Sequence, residues 1–251
     1  MQNQLGIFHS IVLNQVDFKY EGQESKAIDG ISLAIPFKST VGIVGSTGSG
    51  KTTIVDIILG LLRPNSGFIM VDDTLINNTN IRTWQKTIGY VPQQIYLSDD
   101  TIQANIAFGH DPNNIDFKNI QNAASIANLH DFIIEKLPNG YNTKIGEQGV
   151  RLSGGQRQRI GIARALYYDP EVLVFDEATS ALDNLTENAV MEAVSSIANK
   201  KTIIMIAHRL STVRDCDNIF VLDEGKLVGE GSYDQLMNTN LEFQKMIKFD
   251  N

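Results

Sequence analysis

Glycines, small polar side chains and a lysine are combined in the short stretch GSTGSGKTT at residues 45–53. Its spacing fits G-x-x-x-x-G-K-[ST] in full, a pattern in which backbone N–H groups and the following helix N-terminus surround phosphates. The lysine adds a point charge, and the last hydroxyl suits Mg²⁺. The stretch therefore predicts a phosphate loop, with a glycine-rich structural turn as the alternative. The predicted contacts are Gly45, Ser46, Thr47, Gly48, Ser49, Gly50, Lys51, Thr52 and Thr53.

Two adjacent carboxylates, Asp176 and Glu177, end the apolar run VLVF. An apolar strand would deliver both to the carboxyl edge of a sheet, where open α/β sheets bind ligands. One carboxylate can serve a metal shell while the other orients or deprotonates a water molecule. Taken alone, such a pair is more typical of a helix cap. The functional interpretation depends on the phosphate loop in the same chain.

A second candidate anion site lies in RLSGGQRQRIGIARAL. Ser153, Gly154 and Gly155 precede a run with apolar residues at helical spacing, which predicts a glycine-lined helix N-terminus. Such a terminus attracts anions. A serine-capped structural helix is the competing interpretation.

The elements that must position these residues follow from apolar periodicity. Val12, Val16 and Phe18 alternate with polar residues, and with residues 27–35 they predict paired, half-buried strands. The run TVGIVG predicts a strand that leads into the phosphate loop. The next twelve residues, 51–62, predict a helix whose apolar positions include Leu61. Strand, glycine loop and helix are the context that a phosphate loop requires.

The rest of the chain predicts further strands and a helical region. Residues 98–149 are polar and helical in pattern, with a further helix predicted at 186–200. Strands are predicted at 68–73, 87–94, 171–177 and 202–208, and a hairpin at 218–231 turned at Glu224 and Gly225. The runs at 171–177 and 202–208 are continuously apolar, which is typical of parallel strands buried on both faces.

Composition excludes several classes of protein. With 251 residues, 42% hydrophobic and 20% charged, the chain is predicted to fold around a sizeable core. Its net charge of -8 argues against a nucleic-acid partner. Cys216 is the only cysteine, so no intrachain disulfide can form. The longest apolar stretches fall far short of the roughly 18 residues that span a bilayer, and the first ten residues lack the pattern of a secretory signal.

Further motifs resemble those of one family. LSGGQ at residues 152–156 resembles the signature of ATP-binding-cassette (ABC) proteins, and the other landmarks of that family follow in order over roughly residues 10–240. Tyr20 resembles the aromatic residue that stacks on adenine, Gln93 the Q-loop glutamine, TKIGEQG from Thr143 the loop typical of exporters, SALD ending at Asp183 the D-loop, and His208 the switch histidine.

The resemblance implies an α/β fold. The whole chain, residues 1–251, would be one nucleotide-binding (ATPase) domain with a P-loop NTPase (RecA-like) core and a mostly parallel sheet. An N-terminal antiparallel β subdomain precedes that core. A helical subdomain, roughly residues 94–156, is inserted in it and carries the LSGGQ signature.

The resemblance also implies an ATPase that works as a head-to-tail pair, in which the signature of one copy closes the phosphate site of the other. Glu177 would be the base that acts on water, His208 would contact the γ-phosphate, and Gln93 would touch metal and lytic water. The implied Mg²⁺ residues are Thr52, Gln93 and Asp176. The remaining nucleotide contacts implied are Tyr20, Ser153, Gly154, Gly155, Gln156 and Asp183.

The residue types alone leave alternatives open. A single histidine is more often packed or capping, a single glutamine is more often on the surface, and Tyr20 could be a strand aromatic. Stacking on an aromatic ring also reads no base edge, so ATP rather than GTP rests on the resemblance.

The expected function is the ATPase domain of an ABC exporter at the cytoplasmic face of a membrane. Transmembrane domains would be fused N-terminally or form a separate subunit, and the isolated chain would be soluble. IYLSDDTIQANIAFG resembles members that flip lipid-linked glycans or export polysaccharide. Lys144 and Gln148 stand where exporters more often carry an acid and an arginine, so the contact with transmembrane partners departs from the usual pattern.

A soluble, non-transport ABC ATPase is the alternative. Repair relatives carry a long coiled-coil insertion, whereas only about 58 residues separate Gln93 from Leu152. Translation relatives usually hold two cassettes, and this chain holds one phosphate loop. A regulatory module without turnover would lack the base, and Glu177 is present.

Overall fold

The computed structural model describes residues 9–177, 184–207 and 209–250. The chain folds into two compact units, Met1–Ile88 with Asn199–Asn251 and Gly89–Ala198. The first unit holds the phosphate loop, and the second holds the acidic pair and the LSGGQ segment.

The described part of the chain contains ten strands and nine α-helices. The strands are β1 Ser10–Phe18, β2 Ile28–Pro36, β3 Thr40–Gly45, β4 Ser66–Val71, β5 Thr74–Leu75, β6 Ile88–Val91, β7 Val172–Asp176, β8 Thr202–Ile206, β9 Asn218–Asp223 and β10 Lys226–Gly231. The α-helices are α1 Lys51–Ile58, α2 Ile81–Gln85, α3 Ile102–Ile106, α4 Phe117–Ile126, α5 His130–Lys136, α6 Gly154–Leu166, α7 Asn184–Ile197, α8 Tyr233–Thr239 and α9 Leu241–Asp250.

The first unit contains an antiparallel sheet in the order β2-β1-β4-β5, which confirms the predicted pairing of the first two strands. The buried residues of β1 are odd-numbered at first, Ile11 and Leu13, and even-numbered later, Val16 and Phe18. A register shift between Leu13 and Val16 causes this change, because it exchanges the two faces of the sheet for the side chains that follow. Val12 lies before the shift and is therefore only half-buried, unlike Val16 and Phe18.

The same unit contains a mostly parallel set of strands. β3 pairs in parallel with both β8 and β9, and β10 pairs antiparallel with β9. All five residues of β8 are buried, as its continuous apolar run predicts. The predicted hairpin is confirmed: Glu224 and Gly225 both have positive φ, 44° and 77°, as the type I′ turn of a two-residue hairpin loop requires.

Helix α1 is shorter than predicted. It ends at Ile58, and Leu61 is 62% exposed rather than part of the buried face. Gly60 has φ 70°, and the N–H groups of Leu61 and Leu62 donate to the carbonyl of Asp56. Helices commonly end at a left-handed glycine, after which backbone N–H groups donate to the last carbonyls of the helix. Here such an end stops the helix before Leu61, although the apolar spacing continues to that residue.

The second unit contains β7, the last three residues of β6, and the helices α3 to α7. Residues 98–149 contain α3, α4 and α5, as the pattern predicts. All five residues of β7 are buried. Both sheet types and the helical region therefore agree with the predicted α/β fold class. Among the described helices, none is long and apolar enough to cross a membrane.

Candidate nucleotide-binding site

The phosphate loop lies between β3 and α1, as predicted. Gly50 stands at the N-cap of α1 without a side-chain cap, and the first turn of the helix contains no acidic residue. The positive end of the helix dipole therefore faces no competing carboxylate of its own first turn. Lys51 is 5% exposed, and its Nζ donates to the carbonyls of Gly45 and Ser46 at 2.8 and 2.9 Å. These bonds hold the ammonium group over the loop.

Ser49 gives an independent test of whether a phosphate fits here. Its hydroxyl is buried, at 1% exposure, and has no hydrogen-bond partner among the described residues. Burying a hydroxyl without a partner costs about 1–3 kcal/mol. A phosphate oxygen at the loop would supply the missing partner, so the residues present fit a nucleotide phosphate.

Two positions of the loop have room only for glycine, because the surrounding backbone approaches them closely. A Cβ on Gly45 would lie 2.3 Å from the carbonyl oxygen of Leu222, and one on Gly50 would lie 2.7 Å from that of Ala27. Gly50 also has φ 102°, a conformation that side chains other than glycine rarely adopt. The chain segments around Leu222 and Ala27 therefore pack closely against the loop.

The turn between β9 and β10 is a component of the site that the sequence interpretation missed. The N–H of Gly225 donates to the carbonyl of Ser49 at 3.1 Å, and its carbonyl accepts from the N–H of Asp29 at 2.8 Å. A Cβ on Gly225 would lie 2.8 Å from the carbonyl oxygen of Ala27. The turn thus holds the phosphate loop from outside. The glycine indicated a hairpin, but nothing in the spacing linked residue 225 to residue 49.

Tyr20 lies two residues beyond β1, so it is not a strand aromatic. Its hydroxyl is 3.1 Å from the Oγ1 of Thr53 in the first turn of α1, and its ring packs edge-on to Phe18 at 4.9 Å between centroids. The ring is 42% exposed. An exposed aromatic face fixed at both ends beside a phosphate loop is suited to stacking on a base.

The acidic pair lies at the carboxyl end of β7 in the second unit. The hydroxyl of Tyr90 donates to Oδ2 of Asp176 at 3.0 Å, and Nε2 of Gln93 donates to Oε2 of Glu177. The structure therefore brings predicted residues Gln93 and Glu177 into contact. Asp176 is 8% exposed and Glu177 is half-buried. One segment, β6 and its continuation, thus donates to both carboxylates.

Glu177 has a strained backbone. Its φ of 49° is in the left-handed region, which costs a residue with a Cβ on the order of 1–2 kcal/mol. Strain of this kind persists where the surroundings over-determine it, and it clusters at active sites.

Oxygen groups that suit Mg²⁺ occur in each unit separately. In the first unit, Thr52 is exposed in the first turn of α1 and carries a hydroxyl. In the second unit, Asp176 and Gln93 carry a carboxylate and an amide oxygen. Mg²⁺ prefers hard oxygen ligands of these kinds.

The LSGGQ segment begins α6. The Oγ of Ser153 accepts from the N–H of Gln156, and Oε1 of Gln156 accepts from the N–H of Ser153, which together form a capping box. Ser153 and Gly154 are exposed, and Gly155 is buried. The serine cap that composition predicts is therefore present, on a surface that a partner can reach.

The predicted exporter loop lies beside the segment that follows Gln93. The N–H of Ile102 donates to the carbonyl of Thr143, and the N–H of Ile145 donates to that of Asp100, both at 3.1 Å. A groove of about 770 Å³ is lined by residues 94–97 together with Glu147, Gln148, Val150 and Arg157. Val150 is 75% exposed at its rim.

Two predicted site residues, Asp183 and His208, lie outside the described residues. Residues 28–180, which include the phosphate loop, the acidic pair and LSGGQ, match the family described as "ABC transporter". The chain belongs to the ABC transporter family.

Similar proteins are ABC exporters and flippases. An ATP-dependent lipid A-core flippase of Saccharophagus degradans is 47% identical over 228 residues, which is 91% of this chain and 38% of that protein. ATP-binding cassette sub-family B member 5 of Homo sapiens is 42% identical over 229 residues, 91% of this chain and 18% of that protein. This chain thus spans less than two-fifths of the length of these relatives.

A solved structure of a bacterial Atm1-family ABC exporter with ATP bound matches 98% of this chain and 43% of its own, with a TM-score of 0.88 and 38% identity. Such a match shows the ABC nucleotide-binding fold over nearly the whole ABC chain. Two contacts come from the geometry alone: Tyr90 with Asp176 in the second unit, and Gly225 with Ser49 in the first. The sequence analysis linked neither pair.

Proposed function

We propose that this chain hydrolyses ATP and couples hydrolysis to the work of an ABC exporter. The observation that carries the proposal is the acidic pair: Glu177 is present, accepts from Gln93 and occupies a strained backbone position after a buried strand. A carboxylate held in this way can act on a water molecule as general base. A module that only binds nucleotide would not need it.

ATP and Mg²⁺ are the proposed substrate and cofactor. The phosphate loop would bind the phosphates through Lys51 and the N-terminus of α1, and Tyr20 would stack on the base. Thr52, Gln93 and Asp176 would hold Mg²⁺, which when bound neutralises charge on the phosphates. The related exporter structure has ATP bound, which supports the choice of adenine.

The active form is proposed to be a head-to-tail pair of two copies. Ser153, Gly154, Gly155, Gln156 and Asp183 would contact the nucleotide held by the other copy, and His208 the γ-phosphate within its own copy. The exposure of Ser153 and Gly154 at the start of α6 supports this role. Each copy then supplies the phosphate loop of one site and the signature of the other, so a single copy contains no complete site.

Mixing two inactive variants tests this arrangement. Ser153→Arg should abolish turnover by blocking the signature, and Lys51→Ala should abolish it by disabling the phosphate loop. In a mixed pair one site combines the intact loop of the first variant with the intact signature of the second. We expect an equimolar mixture at high concentration to recover up to about a quarter of the wild-type rate, since half of the pairs are mixed and each has one intact site.

Ser232→Arg is the matched control, because Ser232 forms the same capping box with Gln235 at the start of α8. Ser232→Arg should remove a helix cap like the one that Ser153→Arg removes, while leaving turnover near wild type. No recovery in the mixture, together with lost nucleotide binding by the Ser153→Arg chain alone, would place the signature in its own chain's site instead.

Transmembrane domains are the proposed partners, fused to this domain or in a separate subunit, at the cytoplasmic face of a membrane. The chain spans 38% of the lipid A-core flippase, so most of such a protein lies outside it. Exposed aromatic side chains at Tyr96 and Phe108 in the second unit, 62% and 47% exposed, offer an apolar contact surface. The flippase relatives support a lipid or lipid-linked glycan as substrate, and no nucleic-acid partner is proposed.

An immunoblot of soluble and membrane fractions from the source cells tests transport against the soluble-ATPase alternative. We expect a membrane band well above 27.8 kDa, the mass of this chain, if the transmembrane part is fused. A band of 27.8 kDa that salt or alkali strips from membranes indicates a separate subunit. A band found only in the soluble fraction would contradict transport.

A further inference from the structure

We propose that Tyr90 is a positioning residue for the magnesium shell, acting through Asp176. This inference rests on the proposed function and goes beyond it, because no recognised motif includes Tyr90. The hydroxyl of Tyr90 donates to Oδ2 of Asp176 at 3.0 Å. Tyr90 touches neither phosphate nor metal in this role; it sets the direction of the carboxylate that does.

The need for a positioning group follows from the burial of Asp176. The carboxylate is 8% exposed at the end of β7, a strand whose five residues are all buried. A buried carboxylate must be hydrogen-bonded or paired to stay ionised. A donor on Oδ2 helps to meet this requirement and restricts rotation about the bond that carries the carboxylate, so Oδ1 keeps one orientation.

The position of Tyr90 is itself determined by close packing of its strand. Gly89 lies so near its neighbours that a Cβ there would be 2.4 Å from the carbonyl oxygen of Ala165 and 2.8 Å from Cδ2 of Leu173 on β7. The absence of a side chain at residue 89 therefore lets β6 approach β7. That approach brings the hydroxyl of Tyr90 within hydrogen-bond distance of Asp176.

A second bond from the same segment supports a shared task. Gln93 donates to Glu177, three residues beyond the donor to Asp176. The segment from residue 90 to residue 93 thus orients both carboxylates of the acidic pair. A tyrosine that only filled space would need no hydroxyl at this point, since phenylalanine packs the same ring.

Metal-dependent nucleotide affinity tests the inference without relying on turnover. The affinity of the 251-residue chain for an imido analogue of ATP is measured by calorimetric titration, once with EDTA and once with excess Mg²⁺. The ratio of the two dissociation constants reports the metal contribution. Mg²⁺ binding to the free analogue is the same in every titration, so differences in the ratio between variants come from the protein.

Tyr90→Phe keeps the ring and removes only the hydroxyl. We expect it to leave affinity in EDTA unchanged and to reduce the Mg²⁺-dependent gain about 10-fold, the lower end of the usual cost of losing a partner that orients a metal ligand. In an Asp176→Asn background the same change should reduce the gain less than about 2-fold, because the group through which Tyr90 acts is already altered.

Tyr167→Phe is the matched control, since the Tyr167 hydroxyl accepts from the N–H of Asp116 at 2.9 Å in the same unit, away from the acidic pair. A purely structural role would give Tyr90→Phe and Tyr167→Phe the same metal ratio, and that result would overturn the inference. A wild-type chain that binds no analogue would overturn the proposed function itself. A wild-type chain with a clear Mg²⁺ gain that Tyr90→Phe retains would overturn the inference alone.

Discussion

Glu177→Gln is expected to lower ATP turnover by at least about 100-fold, the smallest loss typical of removing a general base, while ATP binding is preserved. Glutamine keeps the size of the side chain and an oxygen that can accept from Gln93, so the contact seen in the structure can persist. What is lost is the ability to take a proton from water. Because ATP then binds without being consumed, the head-to-tail pair should accumulate.

Turnover is measured as phosphate release, and the pair by size-exclusion chromatography with ATP and Mg²⁺. Glu171→Gln is the matched control, since Glu171 directly precedes the opposite end of the same strand, β7, and the change of charge is identical. It should leave turnover within about 2-fold of wild type. If Glu177→Gln hydrolyses ATP at the wild-type rate, Glu177 is not the base.

Lys51→Ala is expected to weaken nucleotide binding by about 10- to 100-fold. The Lys51 ammonium group is buried and held over the loop by the carbonyls of Gly45 and Ser46. A hydrogen bond to a charged group contributes about 1.5–3 kcal/mol, and this lysine would make such bonds to phosphate. Removing it also leaves the two carbonyls without this donor, which adds disorder to the loop.

Calorimetric titration with ATP in EDTA measures the loss, because omission of metal isolates the contribution of the lysine. Lys86→Ala removes the same charge from an exposed position of the first unit and should keep wild-type affinity. Thermal unfolding of each variant shows whether the fold persists. Normal affinity in a folded Lys51→Ala chain would refute the phosphate-loop interpretation.

Local sequence patterns were enough to predict the motifs of this protein and most of the strands and helices that carry them. The phosphate loop, the acidic pair and the LSGGQ helix are short motifs whose residues are adjacent in sequence, and each lies on the element that its flanking periodicity predicts. Hairpin and strand predictions succeeded for the same reason. Period, turn residues and buried apolar runs are local properties, so they need no knowledge of distant neighbours.

Errors in these predictions arose where the backbone departed locally from regular strand or helix geometry. The register shift in β1 reversed the alternation that Val12 suggested, and the left-handed Gly60 ended α1 before Leu61. Both effects depend on backbone conformations that apolar spacing does not report. Glycine is tolerated within many helices, so Gly60 alone did not indicate an end.

Tertiary structure alone decided which distant residues support the site. Gly225 contacts the carbonyl of Ser49 and Tyr90 contacts Asp176, across 176 and 86 positions of the chain. The left-handed backbone at Glu177 is likewise visible only in the fold. Motif spacing identifies the groups that do chemistry, because their types must match the ligand. The groups that hold them in place are chosen by packing between separate segments, and many residue types can serve there, so only the folded chain reveals them.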